Sequence, residues 1–188
     1  MRSPSKRSAQ SAIGNNGVSQ GSRILGVDPG LQITGYGMIE AAPRCPRVLE
    51  AGVIRSVKRP STSELAERVQ DLYASIVEIV EQFHPAVMAV EQLYAHYKHP
   101  RTAILMAHAR GVIFLAAAEH DIPVISYSAT RIKKTITGNG RAPKDQVQRT
   151  IQRELALAEL PEPPDVADAL AAALCHYYVL RLPERRRS

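Results

Sequence analysis

A chain of 188 residues that is 45% hydrophobic is long enough to bury one core and short for two, so one globular domain with ragged ends is expected. Its formal charge of +6 and pI near 9.5 imply an anionic partner; nucleic acid is the commonest for a soluble basic domain, and acidic membrane surfaces stay open on composition alone. No run approaches the ~20 apolar residues of a membrane helix, and Cys45 and Cys175 lack metal-ligand spacing, so we expect no membrane, no thiolate metal site, and two reduced thiols in a cytoplasmic protein, with a single disulfide between them as the alternative.

Residues 1–22 are rich in Ser, Asn, Gln and Gly, carry Arg2, Lys6 and Arg7, and contain no acid. They read as a disordered basic tail. The apolar core of a secretory signal is missing, and the Arg/Ser content leaves a transit peptide as the lesser alternative. A folded domain over 23–182 and a second basic tail, 183–188, complete the expected organisation. The domain opens with a strand over 23–28, a Pro29-Gly30 turn, and a strand over 33–40 in which Thr34, Tyr36, Met38 and Glu40 alternate with Ile33, Gly35, Gly37 and Ile39. A third strand is expected at 47–56. From Glu64 to Phe83, apolar residues recur three or four apart, with Ser61–Ser63 as N-cap candidates and Pro85 as a stop, which predicts an amphipathic helix. Ala86–Glu91 is an all-apolar run ending in an acid, the pattern of a central strand buried on both faces. A helix over 101–119, a strand over 122–127 and a basic helix over 128–137 follow, the last ended by Gly138-Asn139-Gly140. Another helix covers 143–157. The last begins at Pro163-Pro164-Asp165, where proline suits the first turn and carboxylates suit the helix dipole, and runs to about Leu180. The fold class is therefore α/β, a five-stranded mixed sheet flanked by helices.

Four acids carry most of the chemistry. Asp28 and Glu91 each close a strand, so their side chains can leave the sheet at its carboxyl end, where open α/β sheets build their sites. Asp165 and Asp168, three apart, share one helix face. A purely structural account makes Asp28 a turn former, Glu91 a strand-end charge, Asp165 a helix-start acid and Asp168 its solvated neighbour. Joint placement weighs against it, because Asp168 sits inside Val166-Ala167-Asp168-Ala169-Leu170-Ala171, where a charge needs a partner. Carboxylates converging in this way could hold two divalent cations roughly 3.5–4 Å apart for phosphodiester hydrolysis.

The blocks Leu25-Gly26-Val27-Asp28-Pro29-Gly30, Thr34-Gly35-Tyr36-Gly37, Val90-Glu91-Gln92, Ala109-Arg110-Gly111 and Asp165-Val166-Ala167-Asp168-Ala169-Leu170-Ala171 together resemble, in order and spacing, the RuvC family of bacterial Holliday-junction resolvases. That family lies within the ribonuclease H-like superfamily, and the resemblance covers about Arg23 to Tyr178. It implies a ribonuclease H-like fold and a homodimer that binds four-way junction DNA and makes paired, symmetrical nicks. It also implies two Mg²⁺ ions per subunit, with Mn²⁺ able to substitute, and cooperation with the branch-migration proteins RuvA and RuvB. The family's four catalytic, metal-holding acids fall on Asp28, Glu91, Asp165 and Asp168. Two departures stand out: Leu31 follows Asp-Pro-Gly where the family often has a small residue, and the N-terminal tail is longer than usual. Neither touches an acid.

Tyr94, His96, Tyr97, Lys98, His99 and Arg101 interleave rings and cations just after Glu91, which suits stacking on unpaired bases while Lys98 and Arg101 meet phosphates. By resemblance, Tyr94 takes the place of an aromatic that wedges at the junction centre. The alternative is that Tyr94 and Tyr97 pack on the following helix. Arg131, Lys133, Lys134, Arg141 and Lys144 form a second basic cluster. Lys133 and Lys144 match the family's DNA-contacting positions, Lys134 is grouped with them, and Arg131 and Arg141 read as solvated. His176, eight residues past Asp168 and roughly 80° off its face, reads as structural, Cys175 as a small core residue, and Gly111 as a point of close helix packing. Competing functions are a ribonuclease H-like nuclease acting on hybrids or duplexes, an actin- or Hsp70-like nucleotide binder suggested by the Asp28–Gly37 hairpin, and a junction-binding protein without activity.

Overall fold

The computed structural model describes residues 20–56, 64–93 and 100–181. Five strands, β1 (Arg23–Asp28), β2 (Ile33–Glu40), β3 (Arg47–Arg55), β4 (Val87–Glu91) and β5 (Val124–Tyr127), combine with five helices, α1 (Glu64–Phe83), α2 (Pro100–Glu119), α3 (Ala129–Thr137), α4 (Lys144–Glu154) and α5 (Pro164–Arg181). The sheet order is β3-β2-β1-β4-β5, antiparallel across β3-β2-β1 and parallel across β1-β4-β5. The hairpin strands pair directly, while the parallel neighbours are joined through α1 and α2, as parallel strands require. Gly21 and Ser22 already bond to Ala41, so the ordered ladder starts slightly ahead of Arg23.

Strand pleating divides the core into two layers. Leu25, Val27, Met38, Met88 and Val90 face α1 and α2 and pack with Leu72, Ile76 and Ile113. Ile24, Ile39, Val87, Ala89 and Tyr127 face the other way and pack with Ile132, Val147 and the apolar residues of α5. Parity then puts Asp28, two residues past Gly26, and Glu91, two past Ala89, on the α5 face of adjacent strands. The register Val27↔Val90 brings the two strand ends level.

The same face explains how α5 sits so close. A Cβ on Gly26 would lie 2.0 Å from the Ala169 carbonyl oxygen, and one on Gly35 would lie 2.0 Å from that of Asp165. Glycine on the sheet and alanine on the helix therefore let two backbones touch. Gly35 pairs with Asp28 across the hairpin, so the first turn of α5 is laid directly over the end of β1.

Two sequence expectations are corrected here. Gly111 is not a point of close packing within this chain: it is exposed, and among the described residues nothing lies within 4 Å of where its Cβ would be. The stretch Arg101–Glu119, with mean hydropathy 1.3, is after all long and apolar enough by length and composition to cross a membrane. Its apolarity has another use, because one side packs on the sheet through Ala109, Ile113, Ala116 and Ala117, and the opposite side remains uncovered.

Candidate active site

β1 ends at Asp28 because Pro29-Gly30 turns the chain, and that turn is tied down from several sides. The buried Thr34 hydroxyl donates to the Gly30 carbonyl at 2.6 Å. The Arg68 guanidinium donates to the Leu31 carbonyl at 3.1 Å and to Ser56 Oγ at 3.2 Å, and Ser56 Oγ itself donates to the Leu31 carbonyl. Leu31, the residue that departs from the family pattern, is buried with Met38, Leu72 and Val90. It adds apolar packing beneath the turn and leaves Asp28 in place.

Asp28, Glu91 and Asp168 line one cleft of about 190 Å³ together with Lys133, Lys144, Ala129, Ile132, Val147 and Ala171. A smaller cleft of about 160 Å³ adjoins it, lined by Asp28, Pro29, Glu91, Gln92, Leu93, Met106 and Arg110. Burial first, and then the charges of Glu91, Asp168 and Asp165, push the Asp28 carboxyl up to about 7 against the opposing charge of Lys144. Glu91 is raised by burial and by Asp168, against Lys133 and Lys144. Asp168 is also raised by burial, while Lys144 lowers it and Asp165 raises it. Lys144 Nζ stands 3.7 Å from Asp168 Oδ2. Each acid thus feels the others, and two lysines compensate only part of the charge.

That imbalance is the fit test for a divalent cation. Carboxylate oxygens are the donors Mg²⁺ takes, and mutually repelling, half-buried carboxylates are the groups a cation stabilises. The donor set fits in kind and charge; among the described residues, however, no three His, Cys, Asp or Glu side chains stand close enough together to hold a metal ion as they are placed.

The structure gathers Asp28, Glu91, Asp168, Lys133 and Lys144 in one cleft; Asp165 does not line it, and its charge acts on Asp28 and Asp168, raising both. Lys134, the neighbour of Lys133, is exposed on α3 and does not line the cleft. Arg101 is exposed in the first turn of α2. Tyr94, His96, Tyr97, Lys98 and His99 lie outside the described residues. His176 is structural as expected: buried, its Nδ1 is 2.7 Å from the Tyr127 hydroxyl. Both cysteines are free, Cys175 in the core and Cys45 exposed. Sequence reasoning missed Arg68, Arg110 and Ser126, which bond to backbone or to each other beneath the acids. Only the quoted Ala109-Arg110-Gly111 block hinted at one of them.

Residues 24–176 match the profile of the family described as "Crossover junction endodeoxyribonuclease RuvC". A protein of that description from Rhodopirellula baltica is 51% identical over 85% of this chain and 88% of its own length. Another, from Hydrogenovibrio crunogenus, is 46% identical over 88% of this chain and 92% of its own. Among solved structures, Thermus thermophilus RuvC in complex with a Holliday junction substrate superposes with TM-score 0.78 at 30% identity, covering 85% of this chain and 95% of that one.

Proposed function

The chain belongs to the RuvC family of crossover junction endodeoxyribonucleases, and on that premise we propose that it resolves four-way DNA junctions by hydrolysis in the Asp28–Glu91–Asp168 cleft. One observation carries the assignment of the site: two strand-end carboxylates and one from the first turns of α5 share a single cleft with two lysines. Asp28, Glu91, Asp165 and Asp168 are the catalytic and metal-holding acids in this reading. They would hold Mg²⁺, two ions per subunit with Mn²⁺ able to substitute, and these ions supply charge neutralisation and water activation when bound.

The residues' own tasks follow from their places. Asp28 and Glu91 stand on rigid strand ends and fix the floor of the cleft, while Asp165 and Asp168 approach from α5. Lys144 and Lys133 at the rim meet the negative charge that grows on the phosphate in the transition state. A water oxygen attacks phosphorus, the bond to the departing deoxyribose oxygen breaks, and that oxygen leaves protonated; no bond to the protein forms. Lys134, Arg101, Lys98 and Tyr94 extend the DNA-binding surface, with Tyr94 as the wedge at the junction centre.

Paired nicks need two sites, and α2 supports the homodimer that would provide them. Ile104, His108, Gly111, Leu115 and Ala118 are all exposed and follow one another by four and three residues, the spacing of a packing seam. Ile104 is 57% and Leu115 51% exposed, two large apolar side chains on one face, and a contiguous exposed apolar surface marks an interaction site. We further read residues 23–182 as the nuclease domain, the cytoplasm as its compartment, and RuvA and RuvB as partners, readings that family membership supports. Nicking of labelled four-way junctions and matched duplexes with Mg²⁺ tests the proposal: junction-only, symmetrical nicks support it, and equal cutting of duplex makes this a general ribonuclease H-like nuclease instead.

A further inference from the structure

Arg110 is half-buried at the centre of α2, a helix that otherwise has no charge between Arg101 and Glu119. Its guanidinium donates through Nη1 to the Glu91 backbone carbonyl and through Nη2 to Ser126 Oγ at 2.6 Å. The Phe114 ring, one turn along, lies 4.5 Å beneath it. Ser126 belongs to the strand layer that faces α2, so one planar group spans the ends of β4 and β5 from the side opposite the Glu91 carboxyl. The charges that act on that carboxyl are Asp168, Lys133 and Lys144; Arg110 holds the peptide, and the counter-charge comes from elsewhere.

We infer that Arg110 is a positioning residue for the metal site: its fork locks the Glu91–Gln92 peptide to β5 and α2 and thereby fixes where the Glu91 carboxylate stands. The geometry requires a guanidinium. A fixed planar fork reaches a carbonyl and a hydroxyl at once and stacks on a ring, whereas an ammonium on a flexible stem reaches one of them. β4 is five residues long and β5 four, and β5 is the sheet edge; at this strand end the Gln92 amide is bonded to the Tyr127 carbonyl at 2.8 Å, so the ladder holds the amide side of the Glu91–Gln92 peptide and Arg110 holds its carbonyl side. Groups that orient a metal ligand typically change metal affinity about 10–100-fold when lost.

This inference rests on Glu91 being a metal ligand, and the experiment separates the two claims. Full-length wild type, Arg110→Lys, Ser126→Ala and Glu91→Gln are titrated with Mn²⁺ without DNA, followed by electron paramagnetic resonance. Junction affinity in EDTA and the Mg²⁺ concentration for half-maximal nicking are measured alongside. Arg110→Lys should weaken Mn²⁺ binding and raise the Mg²⁺ midpoint by about tenfold, with junction affinity within about twofold of wild type and nicking largely restored at saturating Mg²⁺. Ser126→Ala should shift both midpoints the same way by about threefold. Wild-type Mn²⁺ affinity in Arg110→Lys overturns the inference, and so does a loss of junction affinity, which would make Arg110 a DNA contact. Should Arg110→Lys not fold, Ser126→Ala decides alone, and an unmoved Mn²⁺ affinity overturns the brace. Unchanged Mn²⁺ binding in Glu91→Gln would instead remove the premise that Glu91 is a ligand.

Discussion

Removing the charge of Asp28 should stabilise the metal-free protein while it destroys the enzyme. The Asp28 carboxyl moves from 3.8 when unfolded to about 7 when folded, chiefly through burial and then through Glu91 and Asp168. Between those values the folded state binds the extra proton, so this group's contribution is full below pH 4 and is lost as pH rises through 7. At about 1.4 kcal/mol per unit the whole shift would be worth about 4 kcal/mol. Asp28 is only half-buried in an open cleft, and solvent screening brings the working figure to about 2 kcal/mol. For a domain of this size that is ~4–8 °C. Thermal melts of wild type and Asp28→Asn in EDTA should therefore separate by several degrees at pH 8, with Asn the more stable, and should converge near pH 4.5. Adding Mg²⁺ should reverse the order at pH 8, because a ligand present at 100 times its Kd contributes about 2.7 kcal/mol to the protein that binds it. A destabilised Asp28→Asn at pH 8 in EDTA, or a gain that does not vary with pH, would refute the claim that these acids repel one another in a shared cleft.

Other substitutions probe other parts of the account. Gly35→Ala puts a methyl 2.0 Å from the Asp165 carbonyl oxygen, so α5 must retreat; denaturant unfolding should show a loss of about 2–3 kcal/mol, with nicking impaired more than junction binding. Leu115→Glu on the exposed seam of α2 should give a monomer by sedimentation velocity with unchanged circular dichroism, and a persistent dimer would exclude this face. His176 has its pKa lowered by burial from 6.5 to about 4, so the unfolded chain takes up the proton first and stability falls as pH drops from 6.5 to 4. Relative to His176→Gln, wild type should lose up to about 3 kcal/mol across that window in urea melts, and parallel curves would show that His176 is not buried neutral.

The order of elements was readable because each has a local signature. α1 shows a clear three-to-four periodicity, and α3 begins where Ser128 caps the Arg131 amide and ends where Gly138 adopts φ 78°. Boundaries shifted where a tertiary partner intervened. β5 starts at Val124 because the Ile122 amide is bonded to the Ala117 carbonyl at the end of α2, and α4 stops at Glu154 ahead of Ala156, whose φ is 49°. The acids were legible for a physical reason, since a carboxylate in an apolar run is costly without a partner. Arg68 and Arg110 were not, because the groups they hold at the site, the Leu31 carbonyl and Ser56 hydroxyl for one and the Glu91 carbonyl and Ser126 hydroxyl for the other, lie a dozen or more residues away along the chain. The uncovered seam of α2 was hidden too, because a helix apolar on every side reads from sequence as wholly buried.

The most direct test of the site is the cutting of end-labelled four-way junctions and matched linear duplexes by wild type and Asp28→Asn, in Mg²⁺ and in EDTA. Our account expects paired nicks in opposite strands of the junction alone, abolished by EDTA and by Asp28→Asn while junction binding persists. Nicking that survives in Asp28→Asn would contradict it, since the Asp28 carboxylate would then have no part in the chemistry.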